Sequence, residues 1–138
     1  IIILAIFIFF FMKYSNEKKN VLIGEKYIEA GLYLASSDMN KAKAIYEEII
    51  LSKNNFYSIL SLNIIKEKKL VSDKNKIIDY FKTLEKSITS KDQKDLIKLK
   101  KALFLFKGSE IEAGNSLLKE LIEENSNLKK IAQDLIVD

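Results

Sequence analysis

Apolar positions recur along most of the chain at the three- and four-residue spacing of amphipathic helices, and polar turns interrupt them. The clearest case is the stretch 30–50, in which two such segments flank a polar turn that contains Asp38. Small and large side chains alternate there in the order Ala30, Tyr33, Ala42 and Tyr46. Because small residues let two backbones approach and aromatic rings fill the space beside them, the stretch predicts two helices folded back on each other.

The same spacing predicts seven helices after residue 20. In the first of them the predicted core-facing stripe consists of Val21, Ile28, Leu32 and Ala35, with Tyr33 beside it. In the third, the predicted stripe consists of Phe56, Leu60 and Ile64, with Ile59 and Leu62 beside it. No segment shows the period-two alternation of a strand, Pro is absent and only four Gly occur, so the predicted class is all-α.

Residues suited to helix ends stand between these segments. Asp38 is a predicted N-cap, and Ser72 and Asp73 are the two N-cap candidates for the fourth helix. Ser90 and Ser109 each precede a Gln or Glu by three residues, which is the pattern of a capping box. Gly108 stands where a helix C-terminal glycine is expected.

The helices come in pairs that recur at intervals of about 35 residues. Equivalent places in the second helix of each pair fall to Ala42, Ile77 and Ala113, followed four residues later by Tyr46, Phe81 and Leu117. Nine residues before the first set come Tyr33, Lys68 and Phe104, of which Lys68 breaks the type. A period near 34 with this pattern is typical of tetratricopeptide repeats. We therefore expect a stack of about three antiparallel helix pairs with a C-terminal capping helix; the alternative is a generic set of antiparallel helices.

Residues 1–12 form an uninterrupted apolar run. They fit the C-terminal part of a transmembrane anchor whose beginning lies before residue 1, and we expect the chain to continue after residue 138. The alternatives are a signal peptide, whose cleavage site would need smaller residues, and a buried helix. Residues 13–20 are then a polar joint, and residues 21–138 are the helical domain. The charge of the following lysines does not decide the orientation, because that rule compares two flanks.

Composition excludes several kinds of chemistry. The chain contains no Cys and no His, which removes thiol nucleophiles, Ser-His-Asp triads and Cys/His zinc sites. The carboxylate pairs Asp92/Asp95 and Glu110/Glu112 lie near predicted helix starts, where the helix dipole already favours acidic residues. We therefore expect no enzyme activity, catalytic residue, metal, cofactor or small-molecule substrate.

The net charge of +4 comes with lysine as the only basic residue. Phosphate recognition usually recruits arginine for its planar fork, so we expect no nucleic-acid partner.

Residues 25–50, 54–70 and 94–136, which follow the apolar run and the polar joint in this order, carry a family resemblance. They read EKYIEAGLYLASSDMNKAKAIYEEII, NNFYSILSLNIIKEKKL and KDLIKLKKALFLFKGSEIEAGNSLLKELIEENSNLKKIAQDLI. The arrangement resembles the membrane-anchored, tetratricopeptide-like domain of the ancillary SecYEG translocon subunit family. The resemblance implies a single-pass protein of the bacterial inner membrane with its helical domain on the periplasmic side. It also implies association with the Sec translocon and with periplasmic chaperones that receive emerging chains.

A concave surface lined by the first helices of the pairs is the expected binding site of such a stack. By register with the repeat, the residues facing this groove are Tyr27, Leu34, Leu62, Lys66, Lys69, Lys98 and Leu105. Apolar contacts flanked by lysines would suit a partner segment with some acidic character. The alternative is that the three leucines belong to the core and the lysines to a solvated face. The predicted function is a membrane-anchored protein-binding scaffold, and the alternative is a helical-repeat scaffold in another envelope assembly or cell-division complex.

Overall fold

The computed structural model describes residues 2–137 and is helical throughout that range apart from short connections. No strand occurs among these residues, so the all-α prediction is confirmed. The seven helices are α1 (Ile2–Ala35), α2 (Met39–Leu51), α3 (Asn55–Glu67), α4 (Lys74–Ser87), α5 (Lys91–Lys107), α6 (Ile111–Glu123) and α7 (Lys129–Leu135).

The first helix is longer than predicted. Residues 13–20, expected to be a joint, continue α1 without a break. They contain neither Pro nor Gly, and their polar side chains are mostly exposed, so nothing in this stretch interrupts the backbone hydrogen bonds. Over the described residues, no helix is both long enough and apolar enough to cross a membrane.

The chain divides into two compact units, with the boundary between Ser72 and Asp73. The sequence predicts residues 21–138 as one helical domain. In the first unit α2 packs against both α1 and α3, and in the second α5 packs against α4 and α6, with α7 on α6. The sequence predicts α3 and α4 as the second helix pair. The boundary places these two helices in different units.

Five helices end in the same way, with a left-handed residue two positions after the last helical one. These residues are Ser37, Lys53, Lys69, Ser109 and Asn125, with φ between 51° and 65°. After four of the helices the next N–H donates to a carbonyl five residues back, as Leu70 N does to Ile65 O at 3.0 Å. This is the Schellman motif, which here uses no glycine.

The predicted N-caps have mixed outcomes. The side chain of Asp38 accepts a hydrogen bond from the N–H of Lys41, and Asp73 accepts from two backbone N–H groups of α4, so both are confirmed. Ser90 is an N-cap residue but makes no side-chain cap bond. The capping box at Ser109 is wrong, because Ser109 is the left-handed residue and Glu110 is the N-cap. Gly108 is a C-cap, but its φ of −89° is not left-handed.

The repeat register needs a correction in the third pair. Ala113 is exposed, and Gly114 is the buried residue at the same distance from its helix start as Ala42 and Ile77. By the same count, Leu118 replaces Leu117. In the first helices of the pairs, the counterpart of Tyr33 is Ile65 and not Lys68, because the connection at residues 68–73 is twice as long as the one at 36–38.

In the first unit, α1 buries a different face from the predicted one. Val21, Ile28 and Leu32 are 62%, 65% and 66% exposed. The inward face carries the buried Gly24 and Ala30, with Tyr27 between them. Small residues on this face let neighbouring helices approach α1 closely, and Tyr27 fills the remaining space. The Tyr27 ring packs 5.6 Å from the ring of Tyr46 and 5.5 Å from that of Tyr57.

The third helix also departs from the prediction, because Phe56 is exposed whereas Ser58 and Ser61 are buried. In the second unit, one cluster of buried residues joins α5, α6 and α7. It consists of Leu99, Ala102, Leu118, Leu121 and Ala132, with Phe106 and five aliphatic side chains packed against it.

Candidate functional site

Five of the predicted groove residues lie in the first unit, and they differ in how exposed their side chains are. Tyr27 is half-buried in the aromatic cluster described above, and Leu34 is half-buried as well. Leu62 is only 2% exposed, so it belongs to the core, which was the alternative for the leucines. Lys66 is half-buried, whereas Lys69 is exposed in the left-handed position after α3.

The other two predicted residues lie on α5 in the second unit. Leu105 is 5% exposed and is a core residue, so it is not open to a partner. Lys98 lies on an open charged groove of about 480 Å³. We call this surface the Lys98 groove; it is formed by Glu85, Asp95, Lys98, Lys101, Glu120 and Glu124, with Lys91 and Lys94 also lining it.

Ion pairs hold the walls of the Lys98 groove together. The Nζ of Lys98 lies 3.0 Å from a carboxylate oxygen of Glu120 and 3.1 Å from both carboxylate oxygens of Glu124. The Nζ of Lys101 lies 3.1 Å from Glu85, which links α5 to α4. Burial lowers the pKa of Lys98, but the hydrogen bonds that its ammonium donates to Glu120 and Glu124 outweigh burial and leave the pKa raised.

Asp95 is the unusual member of the groove. It is 3% exposed, and its Oδ2 is buried with no hydrogen-bond partner among the described residues. A buried carboxylate oxygen without a donor is costly, and such a group is satisfied when a partner brings an N–H to it. The sequence offered one signal for this position: Asp95 shares a helix face with Lys91 and Lys98 at spacings of four and three residues.

Two of the other acidic residues named from the sequence, Asp92 and Glu110, have structural partners. Asp92 accepts a hydrogen bond of 3.0 Å from the side chain of Asn127, and Glu110 forms an ion pair with Lys74. Within the described ranges, no cluster of His, Cys, Asp or Glu could hold a metal ion.

No match was found to a protein family, to a curated protein or to a solved structure. The candidate sites are therefore argued from their own geometry.

A second cavity lies in the first unit, between α1 and the α2–α3 turn. It has a volume of about 900 Å³ and an amide-rich lining, and we call it the asparagine cavity. Its polar lining includes Asn16, Lys19, Asn20, Lys53, Asn54 and Asn55. Sequence reasoning missed this site, because its residues come from segments interpreted as a joint and a turn.

Proposed function

We propose that this protein is a membrane-anchored scaffold that binds other proteins through its helical domain. By resemblance, its partners are the Sec translocon and periplasmic chaperones, and its task is to assist the handover of exported chains on the periplasmic side of the bacterial inner membrane. The observation that carries the protein-binding part is the unpartnered Oδ2 of Asp95 in the Lys98 groove.

The groove suits a polypeptide segment because its charges are already arranged. Glu120 and Glu124 hold Lys98, and Glu85 holds Lys101, so these pairs need no ligand for neutralisation. Asp95 Oδ2 is covered, so it accepts an N–H from a partner's backbone amide or Lys, Arg, Asn or Gln side chain once the groove side chains over it move aside. Lys94 lines the same groove and can donate to a carbonyl or carboxylate of the same segment. A partner segment with one N–H donor beside an acidic residue satisfies both Asp95 and Lys94.

The anchoring part of the proposal is supported by the first turns of α1. Phe9, Phe11 and Met12 are exposed there. Removing such apolar side chains from water is favourable, so their exposure favours insertion into an apolar environment. The helix continues without interruption from this apolar run to Ala35, so insertion of the run into a bilayer would hold the first unit close to the membrane surface.

In-cell photocrosslinking from Lys94 and Lys98 in the full chain, with mass spectrometry of the products, tests this proposal. Lys119 is exposed on α6 and does not line the groove, so it is the control position. Crosslinks to translocon subunits or an envelope chaperone from the groove positions, reduced severalfold by Asp95→Asn, are expected.

The other outcomes separate the parts of the proposal. Crosslinks from the groove only to another envelope or cell-division complex would keep the scaffold and reject the translocon. Equal yields from Lys119 and Lys98, unchanged by Asp95→Asn, would reject the groove as the binding site.

A further inference from the structure

The asparagine cavity has a chemistry that the protein-binding proposal does not use. Four asparagines and two lysines line it, and none of the described lining residues is a carboxylate. In a chain with 19 acidic residues, a cavity of about 900 Å³ without any carboxylate favours an anionic ligand.

Several of its donors are free for a ligand. Asn54 is engaged, because its Nδ2 donates to the Oδ1 of Asn20 at 2.7 Å and its Oδ1 accepts from the N–H of Tyr57 at 2.9 Å. Because the Oδ1 of Asn20 accepts the bond from Asn54, the Nδ2 of Asn20 is the group of this amide that can donate to a ligand. Neither Lys19 nor Lys53 has an ion-pair partner among the residues that the structure describes. Two ammonium groups beside amide N–H donors match the oxygens of a phosphate group.

The position of the cavity along α1 indicates where that phosphate comes from. At the helical rise of 1.5 Å per residue, Asn16 lies ~6 Å and Asn20 ~12 Å beyond Met12, the last residue of the apolar run. Helical side chains lean toward the N-terminus, so those of Asn16, Lys19 and Asn20 point back toward this run. The headgroup layer of a bilayer is ~5–8 Å deep on each side of the hydrocarbon. If the apolar run enters the hydrocarbon, the end of the cavity nearest Asn16 lies at headgroup depth, and the side chains of Lys19 and Asn20 reach back toward it.

We propose that the asparagine cavity binds the phosphate of an anionic phospholipid headgroup, with Lys19 and Lys53 as the charged contacts. The inference rests on the membrane association included in the proposed function, but it is independent of any protein partner. A soluble phosphate ester offers the same chemistry, and the experiment distinguishes the two sources.

The test uses the full chain reconstituted into phosphatidylcholine vesicles that contain spin-labelled phosphatidylglycerol or spin-labelled phosphatidylcholine. Electron paramagnetic resonance measures the fraction of each lipid that the protein immobilises. Direct contacts from two ammonium groups to the phosphate are charge-assisted hydrogen bonds, so Lys19→Gln/Lys53→Gln is expected to abolish the preference for phosphatidylglycerol. The matched control is Lys13→Gln/Lys18→Gln. It also removes two positive charges, both from α1, and neither residue lines the cavity.

Each result decides a separate point. Retained selectivity in the Lys13/Lys18 variant and lost selectivity in the Lys19/Lys53 variant supports the cavity. An equal loss of selectivity in both variants would mean that diffuse surface charge causes the preference, and would overturn the cavity as the binding site. If millimolar glycerol phosphate displaces the spin-labelled lipid, the ligand is a soluble phosphate ester and the lipid proposal is rejected. Flotation of the vesicles is measured in parallel: failure to float rejects the membrane anchor, whereas flotation without headgroup selectivity rejects only the cavity.

Discussion

The Oγ of Ser58 donates a hydrogen bond of 2.8 Å to the carbonyl oxygen of Ile49, and both residues are fully buried. The bond joins the first turn of α3 to the last turn of α2 across the connection at 52–54. One turn further along α3, Ser61 is also fully buried, but its Oγ has no partner among the described residues. Two serines three residues apart in α3 therefore differ in whether their hydroxyl groups are satisfied.

This difference predicts opposite effects of the same substitution. Ser58→Ala removes a buried hydrogen bond and is expected to lower the free energy of unfolding by about 1 kcal/mol. Ser61→Ala removes a buried hydroxyl that bonds to nothing, so it is expected to leave the free energy of unfolding unchanged or raise it by up to about 1 kcal/mol. Urea unfolding followed by circular dichroism measures both. Equal losses in the two variants would contradict the hydrogen-bond assignment.

The helices were predictable from the sequence because their signals are local. Apolar spacing and polar turns placed all seven, and Asp38 and Asp73 marked two starts correctly. The inward face of α1 was not predictable in this way. Periodicity favours the stripe with the larger apolar residues, such as Val21 and Ile28, whereas close packing selects the face that carries Gly24.

The candidate sites were predictable only in part, for the same reason. The repeat register placed Lys98 on a binding surface, and the structure places it on a groove. The register also selected Leu62 and Leu105, which packing buries. The burial of Asp95 depends on α5 meeting neighbouring helices, and the asparagine cavity combines two segments that are far apart in the sequence, 16–23 and 52–57. Neither relationship leaves a local signal strong enough to identify the site.

Close packing between α5 and α6 predicts an unusual sensitivity at Gly114. A methyl group there would collide with the ring of Phe106 and lie 3.1 Å from the carbonyl oxygen of Ala102. Overpacking costs about 1–3 kcal/mol, and the better helix propensity of alanine recovers about 1 kcal/mol. Gly114→Ala is therefore expected to lower the free energy of unfolding by up to about 2 kcal/mol.

The control for this prediction is Gly31, where a methyl group would meet only the hydroxyl of Tyr46 at 3.9 Å. Gly31→Ala is expected to raise the free energy of unfolding by about 0.5–1 kcal/mol, since alanine loses less entropy in a helix. Urea midpoints of the two variants should move in opposite directions. A stabilised Gly114→Ala variant would mean that α5 and α6 are further apart than described.

The left-handed helix ends predict a stabilising substitution on the surface. Lys69 has a φ of 52°, a conformation that costs a side-chain-bearing residue about 1–2 kcal/mol and glycine almost nothing. Lys69→Gly is expected to raise the free energy of unfolding by up to about 1 kcal/mol, after the greater entropy of glycine in the unfolded chain is subtracted. Lys68→Gly is the control, because Lys68 has a φ of −86° and gains nothing from glycine. A fall in thermal midpoint for both variants would contradict the Schellman geometry at this end of α3.

The ion pairs of the Lys98 groove predict a loss of stability at alkaline pH. The pKa of Lys98 in the folded protein is raised above its ordinary value of 10.5: burial opposes the charge, but Glu120 and Glu124 more than compensate. A base with a raised folded pKa contributes stability that is fully present below pH 10.5 and is lost as the pH rises through the folded pKa.

Tyr46 acts in the same direction, because burial first and the charge of Tyr27 second raise its pKa above 10.0. Ionisation of Tyr46 is thus resisted in the folded state, and the stability this represents is also lost at high pH. Unfolding free energies measured between pH 8 and 12 separate the two groups. We expect Lys98→Gln and Tyr46→Phe each to flatten part of the alkaline decline, with the double variant flattest. An unchanged decline in Lys98→Gln would mean that its contacts with Glu120 and Glu124 do not persist in solution.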